Sequence, residues 1–146
     1  MATTSSPRLR FLSLFVPDLE DAATRYAAVL GIMPTGQASG APQPHPFAAR
    51  GPVVFDLGGV EIALYQADLR TTHPGDVGIG LEVDGAPDAL AERAAKHGGR
   101  VFYGPTELPA DARRAAALVL PDRHFFEVLG PKADGAAPAT PSPADR

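Results

Sequence analysis

Few side chains in this sequence are able to do chemistry, and their types narrow what that chemistry is. The 146 residues contain no Cys. Thiol nucleophiles, thiolate metal sites, Fe–S clusters and disulfide frameworks are therefore excluded. The 4 His are His45, His73, His97 and His124, and all fall in loops, turns or a helix end. His97 suits a helix C-terminus, where a positive charge complements the dipole. His73 and His124 read as turn residues. Glu61, Glu82 and Glu127 are carboxylates within strand-like segments, a residue type suited to proton transfer or to orienting a ligand donor. Arg113-Arg114 either neutralises a ligand anion or forms an ordinary surface pair. No P-loop, dinucleotide-binding fingerprint, nucleophile elbow or HExxH stretch is present. Gly58-Gly59 and Gly98-Gly99 are turn signals, not phosphate cradles.

The composition restricts partners further. Lys plus Arg total 13 and Asp plus Glu 17, for a formal net charge of -4. A mildly acidic chain is a poor binder of phosphate backbones, so no nucleic-acid partner is expected. No apolar run approaches the ~20 residues of a membrane span. Residues 1–8 lack the apolar core of a signal peptide, and a cytoplasmic protein with no membrane partner is the expectation. With 45% hydrophobic and 21% charged residues, the chain reads as a soluble globule of one domain's size. The 15 Gly and 16 Pro predict short elements.

The elements that must position the carboxylates follow from a repeat. Leu12–Gly31 aligns without gaps on Ile79–Gly98. Leu14 matches Leu81, Val16 matches Val83, Asp21-Ala22 matches Asp88-Ala89, and Ala27-Ala28 matches Ala94-Ala95. Each copy begins with alternation (Leu12, Leu14, Val16; Ile79, Leu81, Val83), the pattern of a half-buried strand. An acidic, Pro-containing turn and an Ala-rich helix follow, and the helix stops at Gly31 or Gly98. Val53–Leu57 and Val60–Gln66 flank Gly58-Gly59 as a hairpin. Val101–Tyr103, Ala115–Leu120 and Phe125–Leu129 read as the strands of the second half. The expected organisation is a first βαβββ module over 8–66, a linker over 67–76 and a second βαβββ module over 77–130. Residues 1–7 and the Pro/Ala-rich tail over 131–146 are expected to be disordered. The first strand after helix one is poorly marked. Pro34–Pro52, with His45 and Phe47, reads as a long loop, either a lid or a solvated connection.

Two such modules resemble the vicinal oxygen chelate superfamily, which includes glyoxalase I, extradiol dioxygenases, fosfomycin-resistance enzymes and bleomycin-resistance proteins. The most specific segments are Phe11-Leu12-Ser13-Leu14-Phe15-Val16-Pro17-Asp18-Leu19-Glu20 and Leu120-Pro121-Asp122-Arg123-His124-Phe125-Phe126-Glu127-Val128. The second resembles the family's closing turn but has Leu120, Arg123 and His124 at positions that usually differ. The resemblance implies an α+β fold in which tandem βαβββ modules form curved sheets around a cup. Strand alternation then puts Leu12, Leu14, Val16, Ile62, Leu64, Ile79, Leu81, Val83, Phe126 and Val128 under the helices. Phe11, Ser13, Phe15, Ala63, Tyr65, Gly78, Gly80, Glu82, Phe125, Glu127 and Leu129 face the cup.

Metal-dependent members of that family place a ligand at each of four cup-facing strand positions. Here those positions are Phe11, Gly78, Ala63 (with Glu61 two residues away on the same face) and Glu127. One carboxylate falls short of the about three protein ligands of a catalytic cation, so the resemblance points to the metal-free, bleomycin-resistance-like branch, with no cofactor. The implied function is a metal-independent protein that sequesters a hydrophobic or aromatic small molecule, such as an antibiotic or pathway metabolite. Phe11, Ser13, Phe15, Phe47, Ala63, Tyr65, Gly80, Glu82, Phe125 and Glu127 would bind the ligand. Glu127 is read either as a ligand-facing acceptor or general acid/base, or as a carboxylate paired with Arg113 or Arg114. The alternative is an enzyme of the same fold. It would be a metal-free cyclase or isomerase using Glu127 or Glu82 as acid/base, or a divalent-metal lyase or dioxygenase. The resemblance also implies a homodimer.

Overall fold

A computed structural model describes residues 6–108 and 112–131. The expectations of disorder at residues 1–5 and 132–146 lie outside the described residues. Among the described residues nine elements follow one another: β1 (Arg8–Val16), α1 (Leu19–Leu30), β2 (Ala48–Asp56), β3 (Glu61–Ala67), β4 (Val77–Glu82), α2 (Asp88–Lys96), β5 (Arg100–Glu107), β6 (Arg113–Val119) and β7 (Phe125–Pro131). The chain divides into two units, one spanning Leu9–Gly80 and the other running from Leu81 onward with the N-terminal residues through Arg8. The boundary falls inside β4.

In the first unit the strands hydrogen-bond in the order β2-β3-β1-β4. β1 and β3 are parallel, with Phe11 opposite Glu61, Ser13 opposite Ala63 and Phe15 opposite Tyr65. β2 and β3 form the expected antiparallel hairpin. Asp18 caps α1 by accepting from the Asp21 amide at 3.0 Å, and Gly31 ends it in the left-handed conformation at φ 72°. Both follow from residue type, since a short carboxylate satisfies a free N–H and Gly bears no penalty at positive φ. α1 covers one sheet face, where Val16, Leu19, Ala22, Phe55 and Leu64 are buried. Leu14, Tyr26, Ala27, Leu30 and Ile62 pack around them.

In the second unit the order is β7-β6-β5, antiparallel throughout. α2 buries Ala91 and Ala94 with Ala116, Leu118 and Val128, flanked by Val83, Leu90, Val101, Leu120 and Phe126. α2 is the shorter helix. Its first position is preceded by Pro87 with no side-chain cap, and it ends at His97, one residue before Gly98. The strand–helix openings and the helix-facing side chains Leu14, Val16, Ile62, Leu64, Val83, Phe126 and Val128 thus follow the alternation.

Two sequence expectations need correction. No strand forms between α1 and β2, where the repeat required one; a single bridge, Thr35 to Val54, stands in its place. β2 also begins earlier than the expected Val53, at Ala48, and continues through Pro52 by register shifts. Gly51 permits this path. Its φ is 123°, and a Cβ there would lie 2.8 Å from the Leu64 carbonyl oxygen. Among the described residues no helix is long and apolar enough to cross a membrane.

Candidate functional site

The first unit's sheet has a second face, opposite α1, carrying Phe11, Ser13, Phe15, Glu61, Ala63 and Tyr65. Alternation puts them there, and every one is at most 3% exposed. What covers much of this face is the chain's own loop between α1 and β2. Glu61 fixes it. One carboxylate oxygen accepts from the Ser39 amide at 2.7 Å and the Ser39 hydroxyl at 2.8 Å. The other accepts from the Gly40 and Ala41 amides at 2.9 and 3.0 Å. Burial acts to raise the Glu61 carboxyl, and the hydrogen bonds from Ala41, Ser39 and Gly40 outweigh it, holding the group below the usual carboxylate value. Arg10 lies over the same turn, donating to the Ser39 hydroxyl at 2.8 Å and to the Gly59 carbonyl at 3.0 Å.

Farther along the loop, His45 is only 5% exposed, so the solvated connection is overturned here. Its ring meets Phe15 edge-on at 5.1 Å and Tyr65 edge-on at 4.7 Å between centroids, while Phe15 and Tyr65 stack at 5.7 Å. Phe47 closes the group, 5.6 Å from the His45 ring. The Phe47 amide donates to His45 Nδ1 at 3.0 Å, which sets the imidazole's orientation. The Tyr65 hydroxyl donates to the Pro42 carbonyl, and the Thr72 hydroxyl to the Phe47 carbonyl at 3.0 Å. Polar ties thus hold a flat ring in an aromatic box.

Phe11 is fully buried and packs on Gly80. A Cβ at Gly80 would lie 2.4 Å from the Phe11 ring, so glycine is what allows the ring to lie against β4. Phe11, Ser13, Phe15, Phe47, Ala63, Tyr65 and Gly80 are thereby gathered in one unit. His45 and Glu61 belong to the same group, although neither is among the ligand-contacting residues expected from the sequence. The available signal was a carboxylate opening a strand on the inward face, paired with a loop of small residues, Ser39-Gly40-Ala41, whose amides can converge.

The second unit carries the remaining candidates. Glu127 lies on β7 opposite Ala117 and is 5% exposed. Phe125 is half-buried and meets the Phe102 ring at 5.4 Å. Glu82 is half-buried, 3.4 Å from the Arg8 guanidinium. Arg114 does not serve Glu127. It makes a two-pronged pair with Asp88, at 2.8 and 2.9 Å, which lowers the Asp88 carboxyl and raises the guanidinium. This pair ties β6 to the first turn of α2.

The resemblance implies a divalent metal for some relatives, and the residues present do not fit one. Phe11 offers no donor and is enclosed. Both oxygens of Glu61 are occupied by loop donors. Among the described residues no three His, Asp or Glu side chains gather as metal ligands would.

Seven strands and two helices in this arrangement form the α+β fold of the glyoxalase/bleomycin-resistance/dioxygenase superfamily. The chain is similar to methylmalonyl-CoA epimerase from Mycobacterium tuberculosis, with a TM-score of 0.62 at 20% identity, covering 94% of this chain and 97% of that one. A hypothetical protein, BH1468, from Bacillus halodurans also gives 0.62, at 15% identity over 88% and 96%. A superfamily member from Vibrio splendidus gives 0.51 at 17% identity, covering 86% and 99%. At these identities the likeness is one of fold. No protein-family model and no curated protein sequence matches the chain.

Proposed function

We propose that this protein binds a flat, apolar or aromatic small molecule without a metal, with the loop from Ala38 to Phe47 as its cover. The observation that carries this reading is the aromatic box of Phe15, Tyr65 and Phe47 around His45. It is a site shaped for a planar ring and occupied by a ring of the same chain. A ligand gains the box by displacing His45, and the hydrogen bonds to Glu61 set how rarely the loop lifts. Apparent affinity is then the intrinsic affinity reduced by the fraction of chains with the loop open.

The test uses 2-naphthol as the probe, titrated into wild type, Glu61→Gln and His45→Ala. Glu61→Gln weakens the about 1–3 kcal/mol of hydrogen bonds to a charged group and His45→Ala empties the box, and in each the apparent affinity rises about tenfold. Equal or weaker binding by both folded variants overturns the reading. Stoichiometric divalent metal in the purified protein overturns its metal-free part.

A second reading, an enzyme with Glu127 as acid/base, is favoured by one observation, a carboxylate only 5% exposed on β7. In the same titration Glu127→Gln separates the two. Affinity kept with turnover lost assigns an enzyme, and affinity and stability both kept with no turnover in wild type leave the binding reading alone.

A further inference from the structure

The second unit has an apolar cavity of about 270 Å³ between α2 and its sheet, lined by Leu81, Leu90, Arg93, Ala94, His97, Leu118, Leu120 and Phe126. The internal repeat explains why it exists. In the first unit the seam between α1 and the sheet is filled by Leu14, Ala23, Tyr26, Ala27 and Leu30. Shifted along the repeat (Leu12 onto Ile79), those five positions become Leu81, Leu90, Arg93, Ala94 and His97, and all five line the cavity. Leu14 and Ala27 recur as Leu81 and Ala94, and Ala23 becomes the larger Leu90, so these three positions stay apolar. The other two replace its fillers, Tyr26 by Arg93 and Leu30 by His97. A long cation extends its charged end toward water, and Arg93 and His97 are both exposed. The space that a phenol and an isobutyl group fill in one copy is therefore open in the other. Leu81, Leu90, Leu120 and Phe126 are left half-buried along it.

We infer that this cavity is a binding site for a small amphiphilic anion, a carboxylate on a short aliphatic or aromatic tail. The walls Leu81, Leu90, Leu118, Leu120 and Phe126 shield one side of the tail from water in an open cavity. Arg93 on α2 supplies the charged group among the lining residues, and His97 one turn on, at the helix C-cap, supplies a ring N–H; both complement an anionic head. At just under the roughly 300 Å³ where small-molecule pockets begin, the cavity takes a tail of modest length. It lies wholly within the second unit, on the helix side of the sheet, apart from the aromatic box.

Sodium octanoate is the probe, followed by NMR shifts of the Leu81, Leu90, Leu118 and Leu120 methyls. The expected result is saturable binding with a dissociation constant below about 1 mM. Neutral 1-octanol and cationic octylamine bind at least about tenfold more weakly, as does octanoate to Arg93→Gln/His97→Gln. The decisive variant restores the first copy's fillers, Arg93→Tyr/His97→Leu. It loses octanoate binding while its thermal midpoint holds or rises. Should that variant fail to fold, the Gln pair, which alters only exposed side chains, carries the test. No saturation in wild type by about 10 mM octanoate, shifts confined to residues outside this cavity, or equal affinity in wild type and the Gln pair overturns the inference.

Discussion

A carboxylate that accepts from Ser39, Gly40 and Ala41 at once ties stability to pH in a defined direction. Its folded value lies below its unfolded one. The stabilisation is fully present above the unfolded value of about 4.3, and it is lost as pH falls toward the folded value. Glu61→Gln removes the charge and keeps the shape. At pH 7 its denaturation midpoint should fall below wild type by about 1–3 kcal/mol of stability. The gap should narrow as pH drops below about 4, and a gap that is constant with pH would show that the charge is irrelevant. This residue also marks where sequence reading stops. Glu61 looks like any strand carboxylate until the loop 22 residues before it is placed. Hydrogen bonds between distant segments leave no periodic trace. Alternation, by contrast, is local and exposes the faces of β1 and β3, and Phe11, Phe15 and Tyr65 are buried together on the face opposite α1.

Among the elements, the two helices differ in ways their residues explain. Asp18 caps α1 through the Asp21 amide, whereas α2 has Pro87 before it and no side-chain cap. Asp18→Ala should cost about 1 kcal/mol, read as a lower urea midpoint with an unchanged slope. No loss would mean that packing of Leu19 and Ala22 alone holds the helix start. The repeat made both helices legible and carried a further message in its mismatches. Tyr26 against Arg93 and Leu30 against His97 are visible by aligning the copies, yet only the packed seam of α1 gives those differences a volume. The strand expected after α1 was a failure of analogy. The repeat requires it, but Pro34–Pro52 lacks the alternation to form it, and the segment folds onto Glu61 and Tyr65 instead.

For the molecule as a whole, the fold neighbours set the architecture and leave assembly to experiment. The exposed Val29, Ile32 and Met33 stand together at the end of α1, at 78%, 36% and 79% exposure. Clustered apolar groups of this kind mark association surfaces. We propose a homodimer through this surface, which light scattering would show as about twice the 15.2 kDa chain mass. A single-chain mass at micromolar concentration would count against it.

The chain has no Trp and only 3 Tyr, and one of them, Tyr65, donates its hydroxyl to the loop at Pro42. Its phenol stacks near Phe15 and meets His45 edge-on. Lifting the loop would therefore move a chromophore from a dry, hydrogen-bonded setting into water. Tyrosine emission then becomes an unlabelled optical signal of that motion, undimmed by indole and read over the emission of Tyr26 and Tyr103.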